Sequence, residues 1–414
     1  MKNKTTQTPG TVSLHTLGCG LRCVHLASPS DVEYLGVSVN VGSRDDAPGL
    51  EGLAHFVEHT IFKGTTRRRS WHIINRMESC GGELNAYTTK ETTVVYSLFP
   101  AGYAGRAAEL IADLITGSVF PQKEIDRERE VVADEISSYL DMPSESVFDD
   151  FEDLIFAGSG LGHNILGTQE SLPRFTPEIC RRYLTDFYTA PNMVLFYSGP
   201  ADAEKIWRIA ERYFGAISVS EAPLRRTEPA AAPTFRTTRQ LDIHQTHTVA
   251  GARIPGMKSE MRHPMALLTN IIGGPGMNSL LNVELREKRG LVYSVDTSTV
   301  MLTDGGLFTI YFGCDPEDLG RCRRLIDRTM YRLASTPLTA QQLERAKKQY
   351  IGQLTVSADN RESQILAIAR ATLYYGRPFT AAQRIEAIRA ITPEQIMDAA
   401  QMIEPERLSS LTFR

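Results

Sequence analysis

Long apolar runs are missing from this 414-residue chain: no stretch approaches the roughly 20 consecutive apolar residues of a membrane-spanning helix, so a helical membrane protein is excluded. Met1 to Gly10 is polar and has no apolar centre, so a secretory signal is not expected there. No acid precedes Asp31, which is one mark of an organelle transit peptide, but the segment passes straight into a strand pattern instead of a long Arg/Ser-rich helix. The expected location is the cytoplasm, with organelle import as the alternative. Cysteine is sparse: Cys19, Cys23, Cys80, Cys180, Cys314 and Cys322 are scattered, which excludes the dense disulfide framework of a small secreted scaffold. Cys19-x-x-x-Cys23 has no second Cys/His pair nearby and falls in a strand-turn-strand pattern, so these read as free thiols. An excess of positive charge is absent as well, with 45 Lys+Arg against 49 Asp+Glu and a net charge of -4. That disfavours nucleic acid as a partner, and the one dense basic run, Arg67-Arg68-Arg69 beside Lys63, reads as a solvated loop.

What is present is an ordinary globular composition, 42% hydrophobic and 23% charged, in a chain too long for a single core. Two domains of about 200 residues each are expected. The first half reads as α+β. A strand at Tyr34 to Val41 is followed by a helix from Glu51 to Phe62, with Leu53, Phe56, Val57 and Ile61 at helical spacing, and a second helix at Trp71 to Cys80 stopped by Gly81-Gly82. A β-hairpin follows, Glu83 to Thr88 and Thr92 to Phe99, then helical patterns at Ala104 to Thr116, Gln122 to Leu140 and Pro177 to Phe187, and a strand from Asn192 to Ser198. Between Ser218 and Arg239 the chain turns Pro-, Ala-, Glu- and Arg-rich without periodicity, as a linker does.

Beyond that linker the order of elements repeats: strand His247 to Ile254, helix from His263, strands around Tyr293 and at Leu307 to Phe312, helices from Asp315 and Leu338. Gly273-Gly-Pro-Gly276 lacks the Lys-Ser/Thr of a phosphate loop and reads as a turn. The expected division is therefore a domain over 1–217, a linker over 218–239 and a homologous domain over 240–414. Matching Phe120-Pro-Gln-Lys-Glu-Ile-Asp-Arg to Leu338-Thr-Ala-Gln-Gln-Leu-Glu-Arg sets Glu135 over Gln353. The second half also has no His-x-x-Glu-His, so only the first carries a metal motif.

That motif is His55-Phe-Val-Glu58-His59. On a helix, residues four apart share a face, so His55 and His59 can aim two imidazoles at one zinc ion. Glu58 leaves the helix from almost the same face, where a carboxylate can take a proton from water. A catalytic zinc needs a third protein ligand, and the helix around Ile125 to Ile136 offers Glu128 and Glu135, seven apart and so on one face near Val131, Val132 and Ile136. Either can reach the metal while the other orients a ligand.

With Gly52-Leu-Ala-His55-Phe-Val-Glu58-His59, Gly81-Gly82-Glu83-Leu-Asn85-Ala86-Tyr-Thr88 with Glu91-Thr-Thr, Glu128-Arg-Glu-Val-Val-Ala-Asp-Glu135 and Leu285-Arg286-Glu-Lys-Arg-Gly-Leu-Val-Tyr293-Ser, the chain resembles, over essentially its whole length, the pitrilysin (M16-type) family of zinc peptidases. The resemblance implies two homologous α+β domains, each a mainly antiparallel sheet packed with helices, together forming half of a clamshell. It implies His55, His59 and Glu135 as ligands of one zinc per chain, Glu58 as general base and Glu128 as helper carboxylate. Asn85 and Ala86 would contact a peptide lying along their strand, and Arg286 and Tyr293 would bind its carbonyls and stabilise the oxyanion.

The function so implied is a zinc endopeptidase acting on peptides or unfolded segments, with a homodimer as the expected assembly. Two other readings stand beside it: a non-catalytic structural subunit of the same fold, and a protease dedicated to one precursor.

Overall fold

The structure, a computed structural model, describes residues 10–230 and 232–414. The segment weighed above as a targeting signal lies, up to Pro9, outside the described residues. Along the first half run β1 (Val12–Thr16), β2 (Arg22–Ala27), β3 (Val32–Val39), α1 (Leu53–Thr60), α2 (Ser70–Glu78), β4 (Glu83–Thr88), β5 (Thr93–Pro100), α3 (Ala104–Gly117), α4 (Gln122–Leu140), α5 (Pro143–Ile155), α6 (Pro177–Phe187), β6 (Met193–Gly199) and α7 (Ala203–Phe214). The second half has β7 (Arg236–Arg239), β8 (Thr246–Ile254), α8 (Arg262–Gly273), a π-helical turn at Asn282–Glu287, β9 (Val292–Met301), β10 (Gly306–Cys314), α9 (Leu319–Ser335), α10 (Ala340–Ser357), α11 (Arg361–Tyr375), α12 (Ala381–Arg389), α13 (Pro393–Gln401) and β11 (Ser409–Phe413).

The chain forms two α+β units, each built on one sheet. In the first the order is β1-β2-β6-β3-β5-β4; in the second it is β7-β11-β8-β10-β9. Leaving out β1, the two sheets have the same plan. The β2–β6 and β7–β11 pairs are parallel, and every other pair is antiparallel.

Residue alternation explains how each sheet carries helices on both faces. In the first, Leu35, Val37, Val39, Leu195 and Tyr197 point into the larger core, with α1, α3 and α7. Their neighbours Val24, Leu26, Val94, Tyr96, Val194 and Phe196 point the other way, onto Ile365, Ile368, Ala369 and Leu373 of α11. In the second sheet, Phe308, Ile310 and Phe312 pack with α8, α9 and α13, while Val249, Leu307, Leu411 and Phe413 meet Val147, Phe151 and Ile155 of α5. Strands covered on both faces read as continuous apolar runs.

The units are therefore not the contiguous stretches 1–217 and 240–414. Residues 138–162, with α5, belong to the second unit, and residues 358–379, with α11, belong to the first. The expected linker 218–239 is also more structured than its composition implies. Its last four residues are β7, and Arg226 is half-buried, its guanidinium forming a two-pronged pair with Asp45 at 2.9 and 2.7 Å. Arg68, read as part of a solvated loop, is instead held by Glu109 and Asp113.

Gly251 shows how closely α5 approaches: a Cβ there would lie 3.0 Å from the Phe151 ring and 2.4 Å from the Phe308 carbonyl oxygen. Phe151 is fully buried, so Phe151→Ala should cost about 3–5 kcal/mol. Amide hydrogen exchange should locate the loss in β8 and β11, ahead of β3 and β6. Unchanged protection in β8 and β11 would contradict the assignment of α5 to the second sheet.

Candidate metal centre

Helix α1 begins where Asp46 dictates. The Asp46 carboxylate accepts hydrogen bonds from the Gly52 amide at 2.8 Å and the Ala54 amide at 3.0 Å, a cap supplied from six and eight residues upstream. Gly52, at φ 91°, makes the left-handed turn into the helix and is crossed so closely by Gly167 that a Cβ would lie 2.6 Å from it. Phe56 and Val57 are fully buried in the core, which leaves His55, Glu58 and His59 on the other side of the helix.

On α4 the buried stripe is Ile125, Glu128, Val132 and Ile136. Val131, expected near this stripe, is half exposed. Glu128 thus stands inside the stripe and Glu135 at its border, 43% exposed. The Glu135 Oε2 atom lies 3.9 Å from His55 Nε2 and 3.6 Å from His59 Nε2, and the three side chains offer ligand atoms all within 4.8 Å of one another. Ligands at about 2.1 Å from a tetrahedral zinc stand about 3.4 Å apart, so this cluster has the size and donor types of a zinc site with one position left open.

Glu128 plays a different part. Its Oε1 is 3.0 Å from His59 Nδ1 and its Oε2 is 2.8 Å from Lys63 Nζ. A carboxylate accepting from Nδ1–H leaves the Nε2 lone pair of His59 free for a metal. Geometry separates Glu128 from Glu135, which spacing alone leaves open: Glu135 faces both imidazoles and Glu128 only one. Lys63 was missed as a site residue, and its position one turn beyond His59 was the available signal.

Electrostatics fits the same picture. Burial, helped by the His59 charge, pushes His55 down to about 3, so its ring is neutral and able to coordinate at neutral pH. Burial would lower His59 also, but the Glu128 hydrogen bond and the surrounding carboxylates outweigh it and raise it. Burial alone would raise Glu128; His59 and Lys63 reverse that and hold it low. Burial raises the Glu58 carboxyl, opposed by a hydrogen bond from the Thr88 hydroxyl.

Asn85 and Ala86 lie half-buried on β4, the edge strand of the first sheet, and α1 packs against this strand. Arg286 and Tyr293 belong to the second unit. Arg286 is exposed in the π-helical turn, and Tyr293 is 59% exposed at the start of edge strand β9, its hydroxyl donating to Asp315 at 3.3 Å.

The second unit repeats the scaffold without the ligands. Setting the buried Leu267-Leu268 of α8 on Phe56-Val57 puts Ala266, Thr269 and Asn270 where His55, Glu58 and His59 stand. Asn270 donates to Gln353 of α10 at 2.8 Å, an amide pair in place of imidazole and carboxylate. Neutral amides make a poor site for a transition metal.

A two-unit α+β protein with a His-x-x-Glu-His helix and a facing carboxylate is the class these features define. Residues 23–169 match the family model described as insulinase (peptidase family M16), and residues 174–350 match that of the peptidase M16 inactive domain. An uncharacterised zinc protease of Streptomyces coelicolor is 32% identical over 412 residues, covering 97% of this chain and 89% of that protein. A second, from Bacillus subtilis, is 30% identical over 90% of both chains. The chain belongs to the M16, or insulinase, family. Two solved structures share the fold at 17% identity: a protease from Helicobacter pylori, with TM-score 0.92 over 98% of this chain and 100% of that one, and a peptidase M16 inactive domain from Pseudomonas fluorescens, with TM-score 0.90 over 97% of both. Among the described residues no helix is long and apolar enough to cross a membrane.

The Asp46 cap can be tested by stability. Asp46→Ala should cost about 1–2 kcal/mol, as loss of an N-terminal cap does. Burial lifts the Asp46 carboxyl to about 6, against the pull of His163 and the two amides. A carboxyl raised in the folded state stabilises below its unfolded pKa and loses that contribution as pH rises through the folded value. Asp46→Asn, which cannot ionise, should therefore be more destabilised relative to the parent at pH 5 than at pH 7. Melting temperatures that differ equally at both pH values would rule this out.

Proposed function

We propose that this chain is a zinc-dependent endopeptidase for peptides or unfolded polypeptide segments. The observation that carries the reading is the convergence of His55, His59 and Glu135 on one point, with Glu58 on the same helix face and Glu128 behind His59. His55, His59 and Glu135 would hold one zinc ion per chain. When bound, zinc supplies Lewis acidity to the scissile carbonyl and to water. Glu58 accepts the proton from the attacking water and returns it to the leaving amine, and Glu128 keeps His59 in its coordinating tautomer. The substrate lies along the free edge of β4, beside Asn85 and Ala86, by strand addition. Arg286 and Tyr293 bind the substrate carbonyls and the developing oxyanion.

Zinc supports this role for two reasons: the donor set is nitrogen and oxygen, and the relatives named as zinc proteases cover nearly the whole chain. The similarity to an inactive-domain structure favours the alternative of a non-catalytic subunit, but such a subunit has no use for Glu58 beside an intact ligand set. A cytoplasmic location agrees with six cysteines that are all free thiols.

Cleavage of a mixed peptide library, read by mass spectrometry with and without a chelator, is the direct test. Glu58→Gln should keep one zinc per chain while losing about 100- to 10,000-fold in kcat, the span of general acid–base contributions. Full activity in this variant would remove Glu58 from the mechanism, and an inactive, zinc-free parent would favour the structural subunit. His55→Ala, His59→Ala or Glu135→Gln should instead lose metal, measured by elemental analysis.

We further propose a homodimer, because the metal set lies in the first unit and Arg286 and Tyr293 in the second, so that two copies can complete each other's sites. Co-expressed Glu58→Gln and Tyr293→Phe chains should then cleave peptide faster than either alone. Mixed dimers as inactive as each parent variant, or an active monomer by light scattering, would contradict the shared site.

A further inference from the structure

We infer that Thr88 is a positioning residue for Glu58, anchoring the general base to the same edge strand that is proposed to receive the substrate. This rests on the peptidase reading above and adds a residue to it.

The Thr88 hydroxyl donates to Glu58 Oε2 at 2.7 Å, and among the described residues it makes the one hydrogen bond to that carboxylate. A glutamate has three side-chain torsions, and ordering it costs rotamer freedom that a fixed partner must offset. Thr88 is such a partner. As a β-branched residue it is restricted at χ1, and its backbone is pinned at the end of β4 in register with Thr93. Thr93 is itself fully buried, its hydroxyl donating to the Val41 carbonyl at 3.0 Å. The chain of contacts from Val41 through Thr93 and Thr88 to Glu58 stays within one unit and joins sheet to helix.

Holding Oε2 leaves Oε1 without a hydrogen-bond partner among the described residues, free to take a proton from water beside His55 and His59. It also makes the strand a reference for both reactants. A peptide aligned on β4 is aligned to the strand whose last residue holds the base, so a shift of β4 moves substrate and base together. Proximity of this kind is where a small displacement costs rate.

Two variants test the inference. Thr88→Val keeps the branched shape without the hydroxyl, and Thr88→Ser keeps the hydroxyl without the methyl. In the zinc-loaded protein, Thr88→Val should lower kcat by about 10- to 100-fold with KM unchanged, while zinc content and melting temperature stay at the parent's values. Thr88→Ser should recover most of kcat. Crystal structures of the two variants supply a readout apart from turnover: Glu58 should leave its position in Thr88→Val and keep it in Thr88→Ser. Parental kcat in Thr88→Val, an unmoved Glu58, a matching loss of zinc or of folding, or Thr88→Ser falling as far as Thr88→Val would each overturn the role. An inactive parent would sink the peptidase reading as a whole, whereas an active parent with an equally active Thr88→Val sinks only the inference about Thr88.

Discussion

The two hydrogen bonds that the Gly52 and Ala54 amides donate to the Asp46 carboxylate set the first turn of α1, and the candidate metal cluster depends on that register. A helix turns about 100° per residue, so a start displaced by one position would turn His55 and His59 away from Glu135 and take either Phe56 or Val57 out of the core. Full burial of Phe56 and Val57 holds the same register from the opposite face. Cap and core therefore act on one degree of freedom, and His55, Glu58 and His59 occupy the face that neither uses.

Across from α1, a second helix is read by the same rule with a different outcome for each carboxylate. Glu128 sits in the buried stripe of α4, where its charge is held by His59 and Lys63. Glu135, two turns on, sits at the border of that stripe and reaches both imidazoles. A helix packed in this way sets one carboxylate against a single imidazole and the other against two. The second unit keeps the packing and loses the charges, with Asn270 hydrogen-bonded to Gln353 at the matching place. Such a pair satisfies two half-buried amides without a metal.

Each sheet is covered on one face by a helix from the other half of the chain. For the first sheet the anchor is polar as well as apolar: the Tyr374 hydroxyl of α11 donates to the Glu91 carbonyl at 2.9 Å, the Glu91 carboxylate pairs with Arg44, and Arg226 reaches the same Glu91 carbonyl at 3.1 Å. Glu91-Thr-Thr was singled out in the sequence beside the metal motif. Its glutamate proves to be a junction for the segments that return to the first sheet, not a group of the candidate metal cluster.

The sequence by itself determined whatever depends on local periodicity. That includes the helix carrying His55, Glu58 and His59, the β4–β5 hairpin, the two-turn spacing of Glu128 and Glu135, and the repeated order of elements, because 3.6-residue and 2-residue periods are written in neighbouring residues. Tertiary structure alone decided which sheet each amphipathic helix covers. The pattern of Val147, Phe151 and Ile155 states that α5 has an apolar face and carries nothing about its destination, since an apolar face is satisfied by any complementary one. The same holds for the part each acid plays. Glu128 and Glu135 are chemically alike and share a face, and only the atoms opposite them, Lys63 with one imidazole for the first and two imidazoles for the second, make one an orienting group and the other a candidate ligand. Those neighbours come from a segment some seventy residues away in the chain, and long-range packing of that kind leaves no mark in a local period.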